Sequence, residues 1–139
     1  MVIADTGFWI ALADRRDAFH EPAKAAYSTL AEPLVTTWPV ITETCYLFLS
    51  RYGIAAQIRF LDNYARGAFE AFNLELSHAR RIQTLMKRYA ELPMDLADAS
   101  LVILAEHLGH GRILSTDRRD FYAYRWKDRQ PFENMLDVP

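Results

Sequence analysis

Apolar positions along this chain follow two alternating rhythms. Val2-Ile3-Ala4 is a short apolar run ended by Asp5-Thr6-Gly7, and Leu34-Val35-Thr36 is a second one preceded by Pro33; both read as buried strands followed by turns. Phe69-Glu70-Ala71-Phe72-Asn73-Leu74 alternates at period two and predicts a third strand. Arg112-Ile113-Leu114-Ser115-Thr116, ending at Asp117, predicts a fourth, and a last short strand is expected within 132–136.

Helical spacing fills the intervals. A short helix is predicted over 8–13, a loop at Arg15-Arg16-Asp17, and a second helix from His20-Glu21-Pro22 to about Leu30, with Pro22 suited to a first turn. Thr37-Trp38-Pro39 opens a helix over 40–51, closed by Gly53, with Ile41, Cys45, Phe48, Leu49 and Tyr52 on its apolar positions. Ile54, Ile58, Leu61 and Ala65 repeat the spacing in a further helix ended by Gly67. Ser77 is the expected cap of a helix whose stripe is Ile82, Leu85, Met86 and Tyr89. The helix over 96–108 is almost wholly apolar from Leu101 to Ala105, so a central position is expected, with Gly109 as its stop.

Short strands alternating with helices imply parallel βαβ units, whose sites lie beyond the carboxyl ends of the strands. At 139 residues, one domain spanning 1–139 is expected, large enough to hold a core without a disulfide or a structural metal. Cys45 is the only cysteine, which excludes an intrachain disulfide and a cysteine-based zinc site and suits a reducing cytoplasm. Asp5 interrupts the opening apolar run, so a signal peptide is not expected. No apolar stretch nears the roughly 20 residues of a membrane span. The net charge of −2 excludes a protein that grips nucleic acid by bulk positive charge.

Four acids fall at element boundaries. Asp5 and Asp117 follow strands, and Glu43 and Asp98 sit near the starts of helices, where a helix dipole would favour them by about 0.3–1 kcal/mol. Brought together, four carboxylates would protonate in part or bind a cation, since two unit charges 4 Å apart repel by roughly 4 kcal/mol at an effective dielectric of 20. Hard oxygen ligands select Mg²⁺ or Mn²⁺, and phosphodiester hydrolysis is the natural use of such a site.

The motifs around these acids carry a resemblance. Val2-Ile3-Ala4-Asp5-Thr6-Gly7-Phe8, Ile41-Thr42-Glu43, Pro93-Met94-Asp95-Leu96-Ala97-Asp98-Ala99-Ser100-Leu101 and Leu114-Ser115-Thr116-Asp117-Arg118-Arg119-Asp120-Phe121 together resemble a PIN-domain ribonuclease, in particular a VapC-type toxin of a bacterial toxin–antitoxin pair. The resemblance implies a three-layer α/β/α sandwich with a mostly parallel sheet of four or five strands. It implies Mg²⁺- or Mn²⁺-dependent endonucleolytic cleavage of RNA leaving a 5′-phosphate, with Asp5, Glu43, Asp98 and Asp117 as the metal-site acids. Thr6 or Thr116 would add a hydroxyl. Asp120, before Phe121, matches a recurrent family position that is either structural or behind the site acids. Asp95 is an extra acid beside Asp98, and spacing leaves open which of the two faces inward. Gly7 departs from the Ser or Asn that many members carry. The resemblance also implies a homodimer and a small antitoxin that covers the site.

Arg118 and Arg119, together with Arg112, Arg125, Lys127 and Arg129, interleave with Tyr122, Tyr124 and Trp126 in a pattern that suits a single-stranded RNA path or a solvated loop with rings packed inward. Arg15 and Arg16 follow the first acid and are placed to reach phosphate or plain solvent. Arg80, Arg81, Lys87 and Arg88 read as a solvated face. The four histidines share no metal-ligand spacing, and Cys45 reads as an inert core thiol. Tyr46, Leu47, Phe60 and Tyr64 are surplus apolar groups over 40–65 that mark either an interface or burial under a neighbouring helix. A stand-alone RNA-processing nuclease and a non-catalytic RNA- or protein-binding domain of the same fold are the alternatives. A phosphatase is disfavoured because Asp5-Thr6-Gly7 lacks a second Asp and no Gly-rich phosphate loop is present. Setting the four acids aside leaves 14 acids against 16 bases, so the total charge fits a chain that meets RNA around one metal-loaded cleft.

Overall fold

The computed structural model describes residues 1–136. In chain order the elements are β1 (Val2–Ala4), α1 (Thr6–Ala13), α2 (His20–Thr29), β2 (Leu34–Thr37), α3 (Trp38–Tyr52), α4 (Ile54–Ala65), β3 (Phe69–Phe72), α5 (Ala79–Arg88), α6 (Leu96–Leu108), β4 (Arg112–Leu114), α7 (Arg118–Ala123), β5 (Arg125–Trp126), β6 (Gln130–Pro131) and β7 (Glu133–Asn134). Five strands form one sheet in the order β3-β2-β1-β4-β7, and every pairing in it is parallel. The expected α/β fold with a parallel sheet is therefore present.

Register follows from burial on both faces. Val2 and Ile3 of β1 pair with Leu34 and Val35 of β2, and Ile3 and Ala4 pair with Ile113 and Leu114 of β4. All of these side chains are buried, as strands covered by helices on both faces require. α6 is apolar all round from Leu101 to Ala105, and that stretch is buried. Glu32 accepts from the guanidinium of Arg112 and from the N-terminal amine, tying β4 and β1 to the turn before β2.

The chain passes from β1 to β2 on one side, and later to β4 on the other. The sheet thus changes direction between β1 and β4, and the crevice at their carboxyl ends is where a site is expected in this class of fold.

Several local expectations are corrected. Ser77 does not cap a helix: it sits in a 3-10 turn, Leu76–His78, and the reciprocal cap is made by Glu75 and His78. The segment after Asp117 is not a loop but α7 followed by an antiparallel β5–β6 hairpin, whose turn residues Lys127 and Asp128 adopt φ of 47° and 64°. Tyr124 is fully buried and Trp126 half-buried, with its indole N–H donating to Pro131 O at 3.1 Å. Ring stacking along an exposed RNA path is therefore unavailable to Tyr124. Arg81 and Arg88 are not merely solvated: Arg81 holds Glu106 in a two-pronged pair, and both hold Asp128 of the hairpin turn.

The stripe Ile54, Ile58, Leu61 and Ala65 faces outward, with Ile54 63% and Ile58 58% exposed. Phe60 is buried and Tyr64 half-buried, because α4 sends those rings into an aromatic cluster with Trp9, Phe48 and Phe69. Of the four surplus apolar groups, Tyr46 alone is strongly exposed, at 66%.

Candidate active site

Three helix starts meet at the β1/β4 crevice, and the expected acids are among the residues that make them. Asp5 leaves β1 and caps α1: its Oδ1 accepts from Thr6 N at 2.7 Å and its Oδ2 accepts from Ser115 Oγ at 3.0 Å. Ser115 Oγ in turn accepts from Asp117 N at 3.0 Å. Asp117 caps α7 by accepting from Asp120 N at 3.1 Å. A continuous run of hydrogen bonds thus joins the ends of β1 and β4. At α6, Asp95 and Asp98 form a reciprocal capping box, with Asp95 Oδ1 accepting from Asp98 N at 2.8 Å.

The Asp95/Asp98 ambiguity is resolved by burial. Both line the cleft, but Asp95 is exposed whereas Asp98 is half-buried and accepts from the buried Tyr124 hydroxyl at 3.1 Å. Glu43 is the sixth residue of α3, beyond its first turn, so the helix dipole does not account for it. It is half-buried and accepts a hydrogen bond from Thr6.

Asp5, Thr6, Glu43, Asp95, Asp98, Thr116, Asp117 and Asp120 all line one cleft of about 400 Å³. Every acid and hydroxyl singled out in the sequence is therefore brought to one place. Burial pushes Asp5 up to about 6, against the lowering effect of its bonds from Thr6 and Ser115, with the charges of Glu43 and Asp117 adding to the rise. Asp98 is pushed up to about 8 by burial and then by the charges of Asp95 and Asp5. Glu43 and Asp117 are raised too, burial being the main cause in each. Tyr124 is raised by burial and by Asp98, so its hydroxyl remains a donor.

Carboxylates raised together in this way are the donor set a hard divalent cation suits. Among the described residues no three His, Cys, Asp or Glu side chains already stand as a closed ligand set. The acids line open volume instead, which fits Mg²⁺, an ion that usually keeps several of its waters and binds through one or two carboxylates.

Gly7 has a steric reason. A Cβ there would stand 1.9 Å from Thr116 Oγ1, so the Thr116 side chain occupies the space a larger residue 7 would use. The basic residues expected to meet RNA fare differently. Arg15, Arg16, Arg118 and Arg119 are exposed, and none is among the residues lining the cleft. Arg118 lies over the Phe19 ring at 5.3 Å, and Arg119 pairs with Asp120 at 3.1 Å. His20 hydrogen-bonds Ala11 O at 2.8 Å and serves the α1–α2 junction. Cys45 is half-buried, and burial pushes its thiol up, away from nucleophilic use.

The sequence does not single out Asp17, Ser115 or Arg51 as site residues, and it offers Tyr124 only as a ring along an RNA path. Of these only Arg51 carried a readable signal, standing with Leu47 at fourfold steps from Glu43 along α3, and all three line the cleft. The contact of Tyr124 with Asp98 is not readable from the sequence, because the fold alone brings it 26 residues back.

Comparison with known proteins bears on the family and the fold. The chain is 30% identical over 124 residues to Ribonuclease VapC26 of Mycobacterium tuberculosis, covering 89% of this chain and 92% of that protein. Its fold is similar to the crystal structure of VapC20 of the same organism, described as a sarcin–ricin loop cleaving toxin, with a TM-score of 0.78 at 20% identity over 86% of this chain and 92% of that one. Residues 2–127 match the family model of the PIN domain. With its acids gathered at the β1/β4 switch point and these likenesses along most of its length, the chain belongs to the PIN-domain family as a VapC-type ribonuclease.

Proposed function

We propose that this ribonuclease is a Mg²⁺- or Mn²⁺-dependent endonuclease, acting in the cytoplasm as the toxin of a toxin–antitoxin pair. The observation that carries the reading is the single cleft in which Asp5, Glu43, Asp98 and Asp117 meet, each with its carboxyl raised above the ordinary range.

In this reading one or two of those four acids would hold the cation directly and the others would meet it through its waters. When bound, it would neutralise charge on the phosphate and make water a better nucleophile. The protein's own share is positioning. Ser115 and the Thr6 amide fix both oxygens of Asp5, Tyr124 orients Asp98, and the Thr6 hydroxyl orients Glu43. Asp98, its carboxyl raised by burial and by the charges of Asp95 and Asp5, would gain most from a neighbouring cation, and Glu43 or Asp98 is the acid placed to accept a proton. Asp95 and Asp120 buttress Asp98 and Asp117 through their helix starts, and Thr116 presents a hydroxyl at the wall beside Gly7.

Two surfaces support protein partners. The outward stripe of Ile54, Ile58 and Leu61 on α4, with Tyr46 and Leu49 on α3, is a large apolar face suited to a second copy of the chain. The antitoxin is expected over the acidic cleft itself; a separate apolar cavity of about 470 Å³ is walled by Trp9, Leu12, Phe48, Phe60 and Phe69.

The test is incubation with total cellular RNA in Mg²⁺, in Mn²⁺ and in EDTA, beside Asp5→Asn. Discrete fragments that appear only with metal and vanish in the variant are the expected result. No cleavage with either metal would overturn the reading in favour of a binding domain.

A further inference from the structure

The cleft is lined by seven carboxylates and, among the described residues, by one cationic side chain, that of Arg51. Arg51 is exposed and lies in the last turn of α3. A basic residue there serves the helix dipole wherever its side chain points, yet this one turns to the cleft, continuing the row of Glu43 and Leu47. Eight residues of helix put its backbone roughly 12 Å along α3 from Glu43. Its guanidinium stands beside the Tyr52 hydroxyl, which donates to Asp14 Oδ2 at 2.6 Å and so ties the end of α3 to the end of α1.

A polyanionic strand entering a cleft of seven carboxylates is repelled unless its phosphates meet counter-charge. The guanidinium fork is the side chain best shaped for a phosphate. Resting on the nuclease reading above, we infer that Arg51 is a substrate-binding residue: it takes the phosphate of a nucleotide displaced from the scissile one and thereby fixes the direction in which RNA crosses the acidic cleft. Arg15, Arg16, Arg118 and Arg119, outside the cleft lining, then add only diffuse attraction.

The test measures binding apart from chemistry. A short fluorescein-labelled single-stranded RNA of randomised sequence is titrated with Asp5→Asn protein in Mg²⁺ over a range of salt, with and without Arg51→Gln or Arg51→Lys. Arg51→Gln is expected to weaken binding roughly tenfold and to flatten the plot of log affinity against log salt by about 0.7, the share of one phosphate contact on a single strand. Arg51→Lys keeps the charge and should retain that slope. In the otherwise native chain, Arg51→Gln should raise KM and leave kcat nearly unchanged. Unchanged affinity and slope in Arg51→Gln, while the native chain cleaves RNA, would overturn this inference alone. An equal loss in both Arg51 variants with an unchanged slope would also overturn it, since that pattern belongs to a structural tie with Tyr52. If the native chain neither binds nor cleaves RNA, the nuclease reading fails and this inference with it.

Discussion

Asp5→Asn should make the metal-free protein more stable at neutral pH while removing its activity. The side chain is 7% exposed, and its pKa rises from 3.8 to about 6 on folding. At 1.36 kcal/mol per unit, holding it ionised in the fold costs about 3 kcal/mol once the pH exceeds 6. The sign follows from proton counting. Between pH 4 and 6 the folded state binds more protons than the unfolded chain, so Asp5 makes stability fall as pH rises through that window. Asparagine has no charge to bury. It keeps an oxygen for the Thr6 amide but turns an NH₂ toward Ser115 Oγ, which already accepts from Asp117 N, at a loss of about 1 kcal/mol. The net expectation is a gain of about 2 kcal/mol at pH 7.5 in EDTA and a loss of about 1 kcal/mol near pH 4. Urea unfolding of both proteins at the two pH values reads this directly. Adding Mg²⁺ should then raise the urea midpoint of the native chain more than that of the variant, because only a ligand bound by the fold shifts stability. A variant less stable at both pH values, or more stable by the same amount at both, would refute the claim that buried charge governs this site.

Two further predictions concern the supports of the cleft. Tyr124→Phe removes the hydroxyl that lowers Asp98, so the pH–rate profile should move to higher pH and stability should fall by about 1 kcal/mol; an unmoved profile would separate Asp98 from the reaction. Gly7→Ser should cost about 1–3 kcal/mol in urea unfolding by collision with Thr116, and Thr116→Ala should recover most of that loss in a double-mutant cycle, whereas additive losses would place the strain elsewhere.

Periodicity and chain punctuation determined most of the secondary structure, because short apolar runs and i, i+3, i+4 stripes report local geometry that any packing must respect. They located β1, β2, β4 and the central α6 closely, and they set Asp5 and Asp117 beyond strand ends in a parallel fold. Position along the chain singles out Asp5 and Asp117, since a parallel sheet collects at one edge whatever follows its strands, and the motifs around Glu43 and Asp98 add those two.

Direction and partnership were decided by tertiary structure. The stripe on α4 is the same in sequence whether it faces core or solvent; the larger rings of Phe60 and Tyr64 took the inner side because the aromatic cluster around Trp9 had room for them. Spacing could not choose between Asp95 and Asp98, since a capping box uses both; the distant Tyr124 hydroxyl selected Asp98. The basic run after Asp117 folds as a helix and a hairpin whose Arg118 and Arg119 stand outside the cleft lining, and Arg51, from a helix read for its apolar positions and for Glu43, is the cation that lines the cleft among the described residues. Which residues carry charge is written in the chain, but which of those charges meet depends on contacts between residues far apart along it, and those exist only after folding.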